Sequence, residues 1–217
     1  MWARHELHDS AEVLHHVTLP AERGVWVMNP TRPAIVMGSS QKLSDINKDF
    51  CDSNGIDVVR RRSGGGAVFV HPNDSLWIDV VIPRGDPLWV DDVGRAMWWL
   101  GDYFAELLKS LGVGHFSVHH DAVITNDWSS ALCFAGVGAG EVICERNSAG
   151  AGKVIGISQR RTRGFARFQC IAYSAWDVEV HQRMIPAVAG DTNRLRSLVR
   201  PIDTSVLLGA EFNPQHA

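Results

Sequence analysis

The stretch AVFV (67–70), HPND (71–74) and SLWIDVVIP (75–83) does most to limit the fold. Two apolar, β-branched runs flank a short polar turn, which is the signature of a β-hairpin. Around it lie GVWVMNP (24–30), PAIVMGSSQ (33–41) and GIDVVRR (55–61), short strands punctuated by Pro and Gly. FSVHHDAVIT (116–125) and GEVICE (140–145) read as extended. GKVIGISQRR (152–161) and ARFQCIAYSAWD (166–177) read as a further strand pair. One helix is strongly patterned. Val93, Met97, Leu100, Phe104, Leu107 or Leu108, and Leu111 share a face, with Asp91 and Asp92 at the N-cap and Gly112 at the stop. Residues 179–199 read as helical with a break at Pro186 and Gly190, and RNSAGAG (146–152) is the one flexible-looking insertion. Strands outnumber helices and fall into antiparallel-looking pairs. The expected fold is therefore α+β rather than a doubly wound parallel sheet.

Length and charge narrow the function classes. A chain of 217 residues has room for one core, so a single domain over 1–217 is expected. The formal net charge is −3, which gives no basic field for nucleic acid or an anionic membrane. The N-terminus MWARHELHDS has no apolar signal core, and no apolar run is long enough to span a bilayer. Cys51, Cys133, Cys144 and Cys170 lack metal-site spacing, so thiols in a reducing cytoplasm are expected and no metal site.

The candidates for chemistry start with RRRSGGGAVFVHP (60–72). Gly64, Gly65 and Gly66 let backbone N–H groups converge on a ligand, and Arg60, Arg61 and Arg62 supply fixed charge for a phosphate or carboxylate. A plain turn with solvated arginines explains the same residues. The stretch is neither a P-loop nor a Rossmann fingerprint. Lys153 enters an apolar strand, where burying an ammonium is costly. It either lies exposed at the strand start or polarises an acyl carbonyl, neutralises a phosphate or lowers a thiol pKa. Cys133 is followed by small residues that leave backbone amides open, while Cys144 and Cys170 sit in apolar strand patterns as small hydrophobes. His119, His120 and Asp121 alternate faces and make a poor chelate, so solvent exposure is expected for them and for His15 and His16.

In combination the motifs say more. G-x-x-Q (Gly38 to Gln41), RRRSGGGAVF, Cys133-Phe134 with Glu141 eight residues on, and GKVIGISQRR occur in that order. This order resembles the lipoate–protein ligase and octanoyltransferase family, which is related to biotin–protein ligases, and the resemblance covers roughly residues 24 to 177. It implies a mixed, largely antiparallel sheet flanked by helices, like the catalytic core of class II aminoacyl-tRNA synthetases and biotin ligases. About forty residues follow Trp176, too few for the C-terminal accessory domain that many such ligases carry, so none is expected. The resemblance implies attachment of an octanoyl or lipoyl group to a lysine of apo lipoyl domains, of a 2-oxoacid dehydrogenase E2 or the glycine cleavage H protein. It places Cys133 and Lys153 as catalytic residues. Arg60, Arg61, Arg62, Ser63, Gly64, Gly65, Gly66, Ala67 and His71 become substrate-binding residues on the first motif, and Gly156, Ile157 and Ser158 on the second.

The resemblance leaves two chemistries. A cysteine-type octanoyltransferase takes the acyl group from octanoyl–acyl carrier protein as a thioester on Cys133 and requires no cofactor. A ligase uses free lipoate or octanoate with ATP and Mg²⁺ and forms an acyl-adenylate. The Cys133-Phe134 motif and the short C-terminal remainder favour the first. The chain departs from the family pattern in two places. Val70 stands where a His is usual, with His71 next to it, and Gln169-Cys170 stands where a His-Gly pair is usual. A non-catalytic relative that binds an acyl group or lipoyl domain is the third expectation.

Overall fold

The structure is a computed structural model and describes residues 2–147 and 150–214. The chain opens with β1 (Ala3–Asp9), α1 (Ala11–His16), β2 (Gly24–Pro30), β3 (Ala34–Met37), α2 (Lys48–Ser53) and β4 (Asp57–Arg60). β5 (Val68–Val70) and β6 (Ser75–Pro83) follow, but they do not form the expected hairpin, because β5 pairs with β3 and β6 with β2 and β10 in a different sheet; then come α3 (Trp98–Ser110) and β7 (Ser117–Val118). β8 (Val142–Asn147), β9 (Gly150–Arg161) and β10 (Phe165–Tyr173) precede α4 (Val178–Met184), α5 (Thr192–Ser197) and α6 (Ser205–Gly209).

Two sheets result. The larger has strand order β1-β2-β6-β10-β9-β8-β7, and the smaller β4-β3-β5. β1 runs parallel to β2 and β3 parallel to β4, while the other pairs are antiparallel. The α+β architecture expected from the strand pattern is what forms.

Alternation along the central strands explains why the large sheet is covered on both faces. On β2, Val25 and Val27 face one core while Trp26 and Met28 face the other. On β6, Leu76, Ile78, Val80 and Ile82 oppose Trp77 and Val81. The first face packs on α3 through Leu100, Phe104 and Leu108, spaced one helical turn apart. The second packs on the small sheet through Ile35, Val68 and Val70. Each such buried side chain contributes about 1.5–3 kcal/mol.

Several sequence expectations need correction. α3 begins at Trp98, after Met97, because residues 93–97 form turns, entered where Asp92 Oδ1 accepts from Gly94 N at 2.8 Å. Val93 is 57% exposed and no part of the helical face. The helix does stop where Gly112 takes φ 72°. Of the stretch 116–125, only Ser117–Val118 pairs as a strand, and Val123 and Ile124 are exposed. β1 and α1 were not foreseen. The break within 179–199 falls as expected between α4 and α5. The insertion 146–152 falls at the β8–β9 turn, and its residues 148 and 149 lie outside the described residues.

Candidate active site

The arginine–glycine stretch follows β4. Arg61 turns inward and its Nη2 donates to the carbonyls of Gly64 and Gly66, each at 2.9 Å, which coils the loop around the guanidinium. Gly65 has φ 93°, and a Cβ there would lie 2.9 Å from that guanidinium. A Cβ on Gly66 would sit 2.5–2.7 Å from the backbone of Leu132 and Cys133. Only glycine permits that approach. The contact is fastened by two main-chain bonds: Ala67 N donates to Ala131 O at 2.9 Å and Cys133 N to Ala67 O at 3.0 Å. Gln41 adds a third link, its Oε1 accepting from Gly38 N at 2.9 Å and its Nε2 donating to Ala131 O at 3.1 Å. Arg60 and Arg62 are exposed, and Arg60 donates to Gln41 O at 2.6 Å. Among the described residues, Arg61 Nε and Ser63 Oγ are buried without a hydrogen-bond partner.

Lys153 reaches this loop because of an irregularity in β9. Val142 pairs with Ile155 and Ile143 with Lys153, so one extra residue stands on β9. Ile155 and Ile157 face the α3 core, and regular alternation would send Lys153 the same way. The bulge re-aims it to the opposite face. There Lys153 is 3% exposed, with Nζ 2.7 Å from Glu141 Oε2, 4.9 Å from the centre of the Phe134 ring and donating to Cys133 O at 3.0 Å. Glu141 is itself held: Oε2 accepts from Gly138 N at 2.6 Å and Oε1 from Ile157 N at 3.2 Å. A buried ammonium is tolerable only with such pairing. Cys133 opens the short 3₁₀ turn Cys133–Ala135 and is half-buried. Cys51, Cys144 and Cys170 are buried, and burial pushes the Cys170 thiol well above its usual range.

Beside this junction a cavity opens to solvent between the two sheets. Val68 and Val70 of the small sheet form one wall, and Trp77, Ser158, Gln169 and Ile171 of the large sheet the other. Arg61 lies at its edge and His15 of α1 completes the lining. A concave site with that mixed lining suits a small organic ligand. α1 is pinned there by Arg167, which donates to Leu14 O at 2.8 Å and Val17 O at 3.0 Å while paired with Asp79. Burial raises the Asp79 carboxyl to about 6, against the pull of Arg167. His15 packs on Trp77 at 4.4 Å between ring centres, and its Nδ1 lies 3.3 Å from Gln169 Nε2. Burial, with the Arg167 and Arg61 charges added, lowers its pKa to about 3, so the ring is neutral near pH 7.

The structure thus brings together Arg61, Gly66, Ala67, Cys133, Lys153, Gly156 and Ser158. It leaves out the exposed Arg60 and Arg62 and also His71. His71 sits at the β5–β6 turn with Nδ1 3.0 Å from Asp74 Oδ2, and Val70 takes the cavity position beside it. The Ile157 side chain points to the α3 core, and only its N–H serves the site. The exposure expected for His15 is corrected: its place over Trp77 follows from α1, a helix of six residues too short to read from periodicity. Gln169 was legible in principle, since it alternates with Ile171 on β10 and pairs with Ser158. His120 is exposed as expected, His119 is half-buried with its ring against Ala122 O, and among the described residues no His, Cys, Asp or Glu cluster is placed to hold a metal ion. Also among the described residues, no helix is long and apolar enough to cross a membrane.

Lipoate–protein ligase 1 of Staphylococcus aureus is 44% identical over 99 residues, which is 44% of this chain and 27% of that relative. The match thus spans about a quarter of the relative's length. The fold is similar to that of a bipartite lipoate protein ligase studied with its E2 lipoyl domain from Thermoplasma acidophilum. That likeness has a TM-score of 0.67 at 15% identity and covers 96% of this chain and 81% of that one. A lipoate–protein ligase A bound with ATP gives 0.63 at 14% identity, covering 98% and 79%. The Lipoyl protein ligase A/B catalytic domain matches residues 8–206, nearly the whole chain, and the chain belongs to that family.

Proposed function

We propose that this chain transfers an acyl group of octanoyl or lipoyl size to a lysine of lipoyl domains, through a thioester on Cys133 loaded from an acyl–acyl carrier protein. The observation that carries this reading is the convergence of the buried Lys153 ammonium on the main chain of Cys133, where the glycine loop meets the cavity. The sulfur of Cys133 forms a new thioester with the donor acyl carbon, the carbon–sulfur bond to the carrier breaks, and the proton given up by the Cys133 thiol leaves on the carrier thiol. The amine of the acceptor lysine then attacks the Cys133 thioester, forming the amide and releasing Cys133. In both steps Lys153 and the amides of Gly64 to Gly66 stabilise the oxyanion.

A second reading, ATP-dependent ligation of free lipoate or octanoate, is favoured by the stretch shared with the staphylococcal ligase. In that scheme Lys153 and the glycine amides hold the acyl carbonyl and the adenylate phosphate, and Mg²⁺ accompanies ATP. Intact mass spectrometry separates the two. With octanoyl–acyl carrier protein and no ATP, the chain is expected to gain one octanoyl group that hydroxylamine removes and apo lipoyl domain accepts. Cys133→Ala should abolish the adduct, while Cys144→Ala and Cys170→Ala should keep it. No adduct, together with lipoyl-domain modification that needs ATP and persists in Cys133→Ala, would establish the ligase instead.

A further inference from the structure

Resting on the acyl-transfer reading, we infer that the cavity selects an acyl group whose far end carries a hydrogen-bonding function such as an amide, with His15 and Gln169 as the specificity-determining pair. The floor of the cavity crosses three adjacent strands. Ser158 on β9, Ile171 on β10 and Trp77 on β6 line it. Two inter-strand steps span about 10 Å, the reach of a medium-length acyl chain. The β9 end is the reactive end, because Gly156, two residues before Ser158 on the same face of β9, lies where a Cβ would touch the Phe134 ring at 3.2 Å and Glu141 Oε1 at 3.5 Å. The β6 end is the far end, and there His15 lies over Trp77 and against Gln169.

The far end is therefore polar where a saturated chain needs an apolar wall. With Nδ1 accepting from Gln169 Nε2, a neutral His15 carries its proton on Nε2 and offers it as a donor. Gln169 Oε1 remains as an acceptor. Among the described residues neither atom has a hydrogen-bond partner. A methyl terminus pressed against them strips water from one donor and one acceptor and returns nothing. Each group left unpaired in this way weakens binding by about tenfold or more. A terminal amide matches both, its oxygen accepting from His15 and its N–H donating to Gln169.

Isothermal titration calorimetry tests this with two eight-carbon acids, octanoic acid and the monoamide of octanedioic acid. The wild-type chain is expected to bind the monoamide at least tenfold tighter. Gln169→Met, which keeps length and removes the acceptor, is expected to erase or reverse that ratio. Because both ligands are compared on the same protein, partial loss of folded material leaves the ratio readable. Equal or tighter binding of octanoate by the wild type, an unchanged ratio in Gln169→Met, or binding of neither acid would each overturn the inference. The octanoyl adduct on Cys133 is scored separately. A preference without an adduct refutes the thioester route alone, and an adduct without a preference refutes the selectivity alone.

Discussion

Glu141→Gln is nearly isosteric and removes one charge from the centre of the site. In the wild type the carboxylate faces Lys153 Nζ at 2.7 Å and accepts from two backbone N–H groups, with both side chains almost fully buried. The glutamine amide has one oxygen, so either Gly138 N or Ile157 N must face an NH₂. Lys153 also keeps a charge that no longer has a counter-ion. Removing one partner of a buried pair costs about 3–5 kcal/mol. For a chain of this length that is roughly a 10 °C drop in Tm. Urea unfolding at pH 7, followed by tryptophan fluorescence, should show the midpoint fall with the slope unchanged. The double variant Glu141→Gln/Lys153→Met leaves no buried charge and should recover about half of the loss or more, while its acyl transfer stays abolished. A single-variant cost below about 1 kcal/mol, or a double variant carrying the full sum of both single losses, would refute the view that Lys153 is held by this carboxylate.

Gly66→Ala drives a Cβ into the Leu132–Cys133 backbone, so it should cost about 1–3 kcal/mol in the same assay and slow acyl transfer at least tenfold, and wild-type behaviour in both would remove the loop from the site. Burial lowers His181 from 6.5 to about 4, so below pH 6.5 the unfolded chain takes up a proton that the folded chain refuses, and stability is lost as pH falls. The stability difference between wild type and His181→Gln should shift by about 2 kcal/mol against the wild type between pH 7 and pH 5, and a flat difference would refute it.

What was legible in the sequence was local. β6 matched its expected span because nine residues of β-branched and aromatic character lie between clear turn residues. The first motif and the lysine strand could be assigned to one site because their order carried a family resemblance. The stretch 116–125 misled because Val123 and Ile124 are apolar yet exposed on a loop, and periodicity cannot tell an outward apolar residue from an inward one. The role of Glu141 as the partner of Lys153 depends on the bulge opposite Val142 and Ile143, a property of strand pairing rather than of either strand alone. His15 depended on α1, whose placement is decided by Arg167, more than 150 residues away along the chain.

On the proposed acyl-transfer reading, the cavity between the sheets also bears on how the chain responds to substrate. Its apolar wall is continuous with the core that includes Val68, Val70, Trp77 and Ile171. An acyl group seated there supplies the packing contacts that a missing core side chain would have made. Loading and release then act as reversible repacking of the protein interior, and binding to the folded state alone raises its melting temperature. Donor occupancy would thus be readable from thermal stability without any turnover, and discharge onto an acceptor lysine would loosen the seam between the two sheets as the product leaves.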